Sequence, residues 1–129
     1  MNKAEQERNQ PKILVIEDDC LFLEVLVDLL DENGFQAIGT QNSLFGLQLV
    51  EAQMPDLMIC DIRMPKFNGY DVLKKLRQDP VTQKIPFIFI TAEKVDSDRS
   101  LAKKLGADDY LTKPFTTEQL LQAIQAQLQ

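Results

Sequence analysis

Leu57-Met58-Ile59-Cys60-Asp61-Ile62-Arg63-Met64-Pro65 is the stretch whose reading decides the fold. Four apolar residues run straight into an aspartate, and a proline closes the segment four residues later. A short continuous apolar run ended by a turn signal reads as a strand covered on both faces. Such strands belong to parallel sheets, and ligands of open parallel sheets gather outside the strands' carboxyl ends. Asp61 is expected where this strand, residues 57–62, surfaces. Taken alone it is as consistent with a loop cap as with a chemical centre. The rest of the chain decides.

The same grammar repeats on both sides. Residues 12–16 form an apolar run ending in Glu17-Asp18-Asp19, and residues 86–90 form another ending in Thr91-Ala92. Shorter runs at 35–39 and 109–112 complete five strands, the last followed by Lys113-Pro114-Phe115. Helical patterns separate them. In residues 21–33, Phe22, Leu26, Leu29 and Leu30 recur at three- and four-residue spacing, with Asp19 or Cys20 as the start and Gly34 as the stop. Ser43 is the expected cap of a helix over 44–53 that ends at Pro55. Residues 65–69 read as a turn-rich loop. Helices follow over 70–77, ended by Asp79-Pro80, and over 97–105, stopped by Gly106. Thr116-Thr117-Glu118-Gln119 is a capping box for a last helix over 118–129, with Leu120, Leu121, Ile124 and Leu128 facing inward.

Strand and helix thus alternate five times. The expected fold is α/β: a doubly wound, five-stranded parallel sheet of the flavodoxin-like (βα)5 type, strand order 2-1-3-4-5. It is expected to occupy residues 11–129, after a flexible tail over 1–10.

Composition narrows the function. A chain of 129 residues, 44% hydrophobic and 26% charged, suits one globular domain. The net charge of −6, with 14 scattered Lys and Arg, argues against direct nucleic-acid binding. With no histidine in the chain, any imidazole chemistry must come from a partner. Cys20 and Cys60 lack metal-pair spacing and are expected to be free, buried thiols, Cys20 at a helix start. The polar N-terminus resembles neither signal peptide nor anchor, and no apolar stretch is long enough to span a bilayer. A cytoplasmic protein without membrane attachment is expected.

In a parallel sheet all the strand ends share one edge. That edge collects Glu17 and Asp18, then Asp61, Thr91 and Lys113. Carboxylates crowded together stay ionised only beside a cation. An all-oxygen set suits Mg²⁺ and disfavours zinc. A lysine and a hydroxyl across the same pocket suit the oxygens of a phosphoryl group. The constellation reads as a carboxylate that accepts a phosphoryl group with Mg²⁺ assistance.

These stretches together resemble the receiver domain of bacterial two-component response regulators: 13–19, Cys60-Asp61-Ile62-Arg63-Met64-Pro65 with Asn68-Gly69, Ile90-Thr91-Ala92, and 106–115. The resemblance covers about residues 11–129 with every motif in order. It implies that Asp61 is the phosphoacceptor, loaded from a phosphohistidine on a histidine kinase or histidine phosphotransfer protein. It implies that Asp18, Asp61 and the backbone carbonyl of Arg63 ligate Mg²⁺, with Glu17 acting through water. Lys113 would pair with phosphoryl oxygens, ahead of a cis bond to Pro114. Thr91 would be the switch hydroxyl and Tyr110 the aromatic that follows it, passing the change to the face of the fourth helix, fifth strand and fifth helix. Such a domain is a signalling switch rather than a turnover enzyme.

Other features are particular to this chain. Arg63 and Glu93, each two past a site residue, occupy positions that the resemblance implies tune the acyl phosphate's hydrolysis; they are expected either to form a mutual ion pair that slows it or to point into solvent. Leu23 and Val27 form an apolar ridge on the first helix, either a docking site for the phosphodonor or simply buried. The last helix lacks Lys and Arg, which makes the salt-bridged dimer of winged-helix regulators less expected; a phosphorylation-dependent dimer of another kind is left open. Its Gln-rich end is also compatible with a linker to an output domain or effector. Two other classes compete. A Mg²⁺-dependent phosphohydrolase of the haloacid-dehalogenase type would carry a second acid where Arg63 stands. A flavodoxin-like binding module would carry a phosphate-cradling loop where Glu17-Asp18-Asp19 stands.

Overall fold

The computed structural model describes residues 9–92 and 96–128. The expectation of a tail falls mostly on residues 1–8, outside the described range. Five strands and five helices alternate: β1 (Lys12–Ile16), α1 (Cys20–Glu32), β2 (Gln36–Thr40), α2 (Ser43–Gln53), β3 (Leu57–Asp61), α3 (Gly69–Gln78), β4 (Phe87–Thr91), α4 (Asp96–Leu105), β5 (Asp109–Thr112) and α5 (Thr117–Gln127). All strand pairs are parallel, in the order β2-β1-β3-β4-β5. The expected architecture is the observed one.

Period-two alternation along the central strands divides the core into two layers. Leu14, Ile16, Met58, Cys60, Phe87 and Phe89 point to one side, under α2, α3 and α4. Ile13, Val15, Leu57, Ile59, Ile88 and Ile90 point to the other, under α1 and α5. β3 and β4 are buried at every position, which is why they read as unbroken apolar runs. β1 lies between β2 and β3, so the chain reverses its winding there, and the edge beyond β1 and β3 is the topological switch point.

Local caps refine the expected boundaries. Asp19 caps α1, accepting from Phe22 N at 3.1 Å. Asn42, not Ser43, caps α2, accepting from Phe45 N at 2.8 Å. Ser43 is instead the first helical residue and donates its hydroxyl to Phe67 O at 2.7 Å, tying α2 to the loop after β3. That loop ends in a capping box of Asn68 with Asp71, so α3 starts at Gly69. The Thr116–Gln119 capping box opens α5 as expected.

One surface expectation is corrected, and an open one is narrowed. Cys20 is exposed, while Cys60 is buried. Cys20 lies six residues before the buried Leu26, roughly 120° round the helix from it, and so faces away from the core. Leu23 and Val27 are half-buried, packed over the Cβ-less surface of Gly39 in β2. The outward apolar pair on α1 is Leu21 and Val25, at 74% and 63% exposure.

Candidate functional site

Register builds the site. Ile16 pairs with Cys60, so one residue further on Glu17 and Asp61 leave neighbouring strands on the α1 and α5 side of the sheet. Asp18 follows at the mouth. Glu17 and Asp61 are buried and Asp18 is exposed. One carboxylate oxygen from each of the three lies within 4.8 Å of the others. Gln41 donates to the Asp18 carbonyl at 3.0 Å and steadies the turn after β1.

Lys113 enters from beyond β5, whose Thr112 pairs with Thr91. Its backbone N–H donates to Thr91 O at 2.7 Å, and the bond to Pro114 is cis, as the resemblance implies. Its ammonium pairs with Glu17 Oε1 and stands 3.8 Å from Asp61 Oδ2. It also lies over the Phe22 ring at 4.2 Å, so an aromatic on α1 sets the angle at which the cation points at the acids. Sequence reasoning placed Phe22 only in the core stripe.

The electrostatics of the pocket are unbalanced. Burial, reinforced by the neighbouring Asp61 carboxylate, raises the Glu17 pKa from 4.5 to about 8, against the opposing pull of Lys113. Glu17 Oε2 is buried and makes no hydrogen bond. Buried carboxylate oxygens are normally satisfied. Among the described residues one lysine faces three acids, which leaves room for a further cation, and an all-oxygen donor set fits a hard divalent one. The Cys60 thiol, fully buried beside Asp61 and Glu17, is pushed upward in pKa by burial and by their charge.

Thr91 is fully buried at the end of β4. Tyr110 is buried in β5, with the Arg99 guanidinium 4.8 Å from its ring centre. Arg63 sits just outside β3, its N–H 3.4 Å from Asp61 Oδ1. Its guanidinium reaches Asp98 on α4 at 2.5 Å. Glu93, its expected partner, lies outside the described residues. Asp98 was not legible as a site residue, because an acid in the first turn of a helix is ordinary. Its significance depends on contacts 28 and 35 residues away in sequence.

The model of the response regulator receiver domain matches residues 13–125. The chain belongs to that family of signalling switches, and the haloacid-dehalogenase reading has no support. Among relatives, the transcriptional regulatory protein CpxR of Klebsiella pneumoniae is 42% identical over 115 residues, covering 89% of this chain and 48% of CpxR. The chain therefore spans about half of that relative's length. The protein PilH of Pseudomonas aeruginosa is 35% identical over 117 residues, covering 91% of this chain and 97% of PilH. The receiver domain of the sensor histidine kinase PA1611 from the same organism, solved with a magnesium ion in its active-site cleft, superposes with a TM-score of 0.84 at 26% identity. That match covers 92% of this chain and 98% of the other. Among the described residues, no helix is long and apolar enough to cross a membrane.

Proposed function

We propose that Asp61 accepts a phosphoryl group from a phosphohistidine on a histidine kinase or histidine phosphotransfer protein, with Mg²⁺ held by Asp18, Asp61 and the Arg63 carbonyl and, through water, by Glu17. The observation that carries this reading is the convergence of three acids within 4.8 Å, one of them with an orphaned buried oxygen, facing a single lysine. When bound, Mg²⁺ supplies charge neutralisation at the phosphoryl oxygens. The chain's own residues do the rest. An Asp61 oxygen attacks phosphorus, the P–N bond to the donor imidazole breaks, and the imidazole nitrogen leaves with the electron pair. The Lys113 ammonium, aimed by the Phe22 ring, pairs with one phosphoryl oxygen, and the Thr91 hydroxyl donates to another.

The output is read on the face of α4, β5 and α5. There a groove of about 340 Å³ is lined by Arg99, Lys103, Asp109 and Tyr110 among others, which supports Tyr110 as the residue that carries the change to this face. Leu21 and Val25, beside the mouth on α1, suit an apolar helix of the phosphodonor. The receiver unit is residues 11–129, working in the cytoplasm, either alone or ahead of an output domain or effector, with a phosphorylation-dependent dimer as one form of output. Nuclear magnetic resonance with Mg²⁺ and beryllofluoride tests this. Amide shifts at Asp61 and Thr91 that extend to Tyr110 and α4 support it. Shifts confined to Asp18 and Asp61 refute the relay, and no shift refutes the site.

A further inference from the structure

α2 carries an apolar surface that neither the core nor the phosphoryl site uses. Its sequence, Ser43-Leu44-Phe45-Gly46-Leu47-Gln48-Leu49-Val50-Glu51-Ala52-Gln53, holds one charged residue, and its apolar residues are spread round the whole helix. A helix of that kind is normally covered on all sides. Here only Ser43, Gly46 and Val50 are buried, and they mark its inward face. The opposite face presents Leu44 at 56% and Phe45 at 50% exposure, with Gln48 and Ala52 exposed beside them. The helix itself is firmly seated. A Cβ on Gly46 would lie 2.5 Å from Ile16 Cδ1, so α2 rests directly on β1, and the Ser43 hydroxyl donates to Phe67 O at 2.7 Å. The outward face is thus held on a rigid element, which lowers the ordering cost of binding.

We propose that a second copy of the chain docks on this face, as an antiparallel α2–α2 pair about a two-fold axis near Gln48. Helical spacing places Phe45, Gln48 and Ala52 in one row, at i, i+3 and i+7. Reversing that row onto itself sets each Phe45 ring on the partner's Ala52, a large residue on a small one, and brings the two Gln48 amides together. Leu44 then lies along the methylenes of the partner's Glu51. A self-complementary row is what an isologous interface requires. Charge favours the same occupant. The chain carries a net charge of −6, so two copies repel unless they meet on a neutral face. The outward apolar pair on α1, Leu21 and Val25, stands beside Glu24 and Asp28 on a helix with four acids and no Lys or Arg, so pairing there would crowd like charges. α2 brings only Glu51, at the rim of its face. The helix is about 16 Å long, too short to supply the roughly 800 Å² per partner of a standard interface, so the pair is weak and reversible, with a Kd on the order of 100 µM. α2 packs over β1 and β2, at the opposite edge of the sheet from β5. The pair therefore leaves the output face free and forms without phosphorylation, unlike a phosphorylation-dependent dimer.

Sedimentation equilibrium of the full chain, from about 10 µM to about 1 mM and without phosphodonor, tests this. The average mass is expected to rise from one chain towards two and no further, because a two-fold pair closes. Mg²⁺ with beryllofluoride should leave the Kd within about twofold, Phe45→Lys should raise it at least about tenfold, and Val25→Lys on α1 should leave it within about twofold. Position is read separately by oxidative cross-linking in a Cys20→Ser background. Gln48→Cys should form the disulfide-linked dimer at least about ten times faster than Val25→Cys, because only the former meets its own copy across the axis. Four outcomes overturn the inference. A single-chain mass at about 1 mM would leave α2 to a different protein. A pair that forms only with beryllofluoride would belong to the phosphorylated state. Growth beyond two copies would mean a head-to-tail contact. A Kd unmoved by Phe45→Lys, or cross-linking of Gln48→Cys no faster than that of Val25→Cys, would place the contact elsewhere.

Discussion

Gly69→Ala is expected to damage this domain, although it places a better helix former in the first turn of α3. The Gly69 N–H donates to Ile62 O at 2.9 Å, which pulls the start of α3 down onto the exit of β3. A Cβ there would lie 2.4 Å from Asp61 O, 2.9 Å from Ile62 Cα and 2.9 Å from Phe89 Cε1. Two of those three atoms are backbone, and the third is a fully buried ring. None can swing aside. Helix propensity returns about 0.5–1 kcal/mol. Overpacking commonly costs about 1–3 kcal/mol, and backbone opposition puts this site at the upper end. The net loss is about 2 kcal/mol. With a urea slope of roughly 1.5 kcal/mol per M, the midpoint falls by about 1 M. Gly34→Ala is the control. It meets open space but has φ +90°, so strain alone costs about 1–2 kcal/mol far from the site. Both variants lose stability, and only Gly69→Ala should also slow labelling of Asp61. The readout is urea unfolding followed by circular dichroism, with acetyl phosphate labelling alongside. A Gly69→Ala midpoint equal to or above that of the unsubstituted chain would refute the packing described for the β3 exit.

Other expectations follow from the same geometry. The raised Glu17 pKa means that the metal-free folded state holds more protons than the unfolded one between 4.5 and about 8. Its stabilising contribution is therefore full below 4.5 and lost as pH rises through about 8, so the urea midpoint in chelator should fall between about pH 4.5 and about pH 8 and level off above, with Mg²⁺ flattening the slope; a flat chelator profile over that range would contradict this. Cys20 should react with a thiol reagent in the native state while Cys60 stays protected until unfolding, and two fast thiols would contradict the burial of Cys60. Arg77 donates to Gly106 O through Nε and Nη2 and to Ile85 O through Nη1, and pairs with Asp108 at 3.2 Å. Arg77→Lys cannot span those acceptors and should cost about 2 kcal/mol in unfolding experiments.

The fold was legible wherever burial is two-sided. β1, β3 and β4 show themselves as apolar runs because both faces are covered by helices, and the acid or hydroxyl that ends each run marks the edge where the sheet meets solvent. That is why Glu17, Asp18, Asp61 and Thr91 could be assembled from the sequence; Lys113 follows β5, which is only partly buried, and was found from the alternation of strand and helix. Choices between chemically equivalent neighbours were not legible. Asn42 and Ser43 are both good caps, and only the Ser43 bond to Phe67 O decides between them. Which face a helix-start cysteine takes depends on the phase of the helix against the sheet. Asp98 was invisible for a deeper reason: its partners, Arg63 and Tyr70, arrive from other elements, and local sequence carries no trace of that meeting.

The central claim is that Asp61 is the phosphoacceptor. The most direct measurement is mass spectrometry of the chain after Mg²⁺ and acetyl phosphate, with borohydride trapping of the acyl phosphate and peptide mapping. The account predicts one phosphoryl group per chain, trapped at Asp61, absent in chelator and absent in Asp61→Asn. Trapping at another carboxylate in the unsubstituted chain, or undiminished labelling of Asp61→Asn, would contradict it.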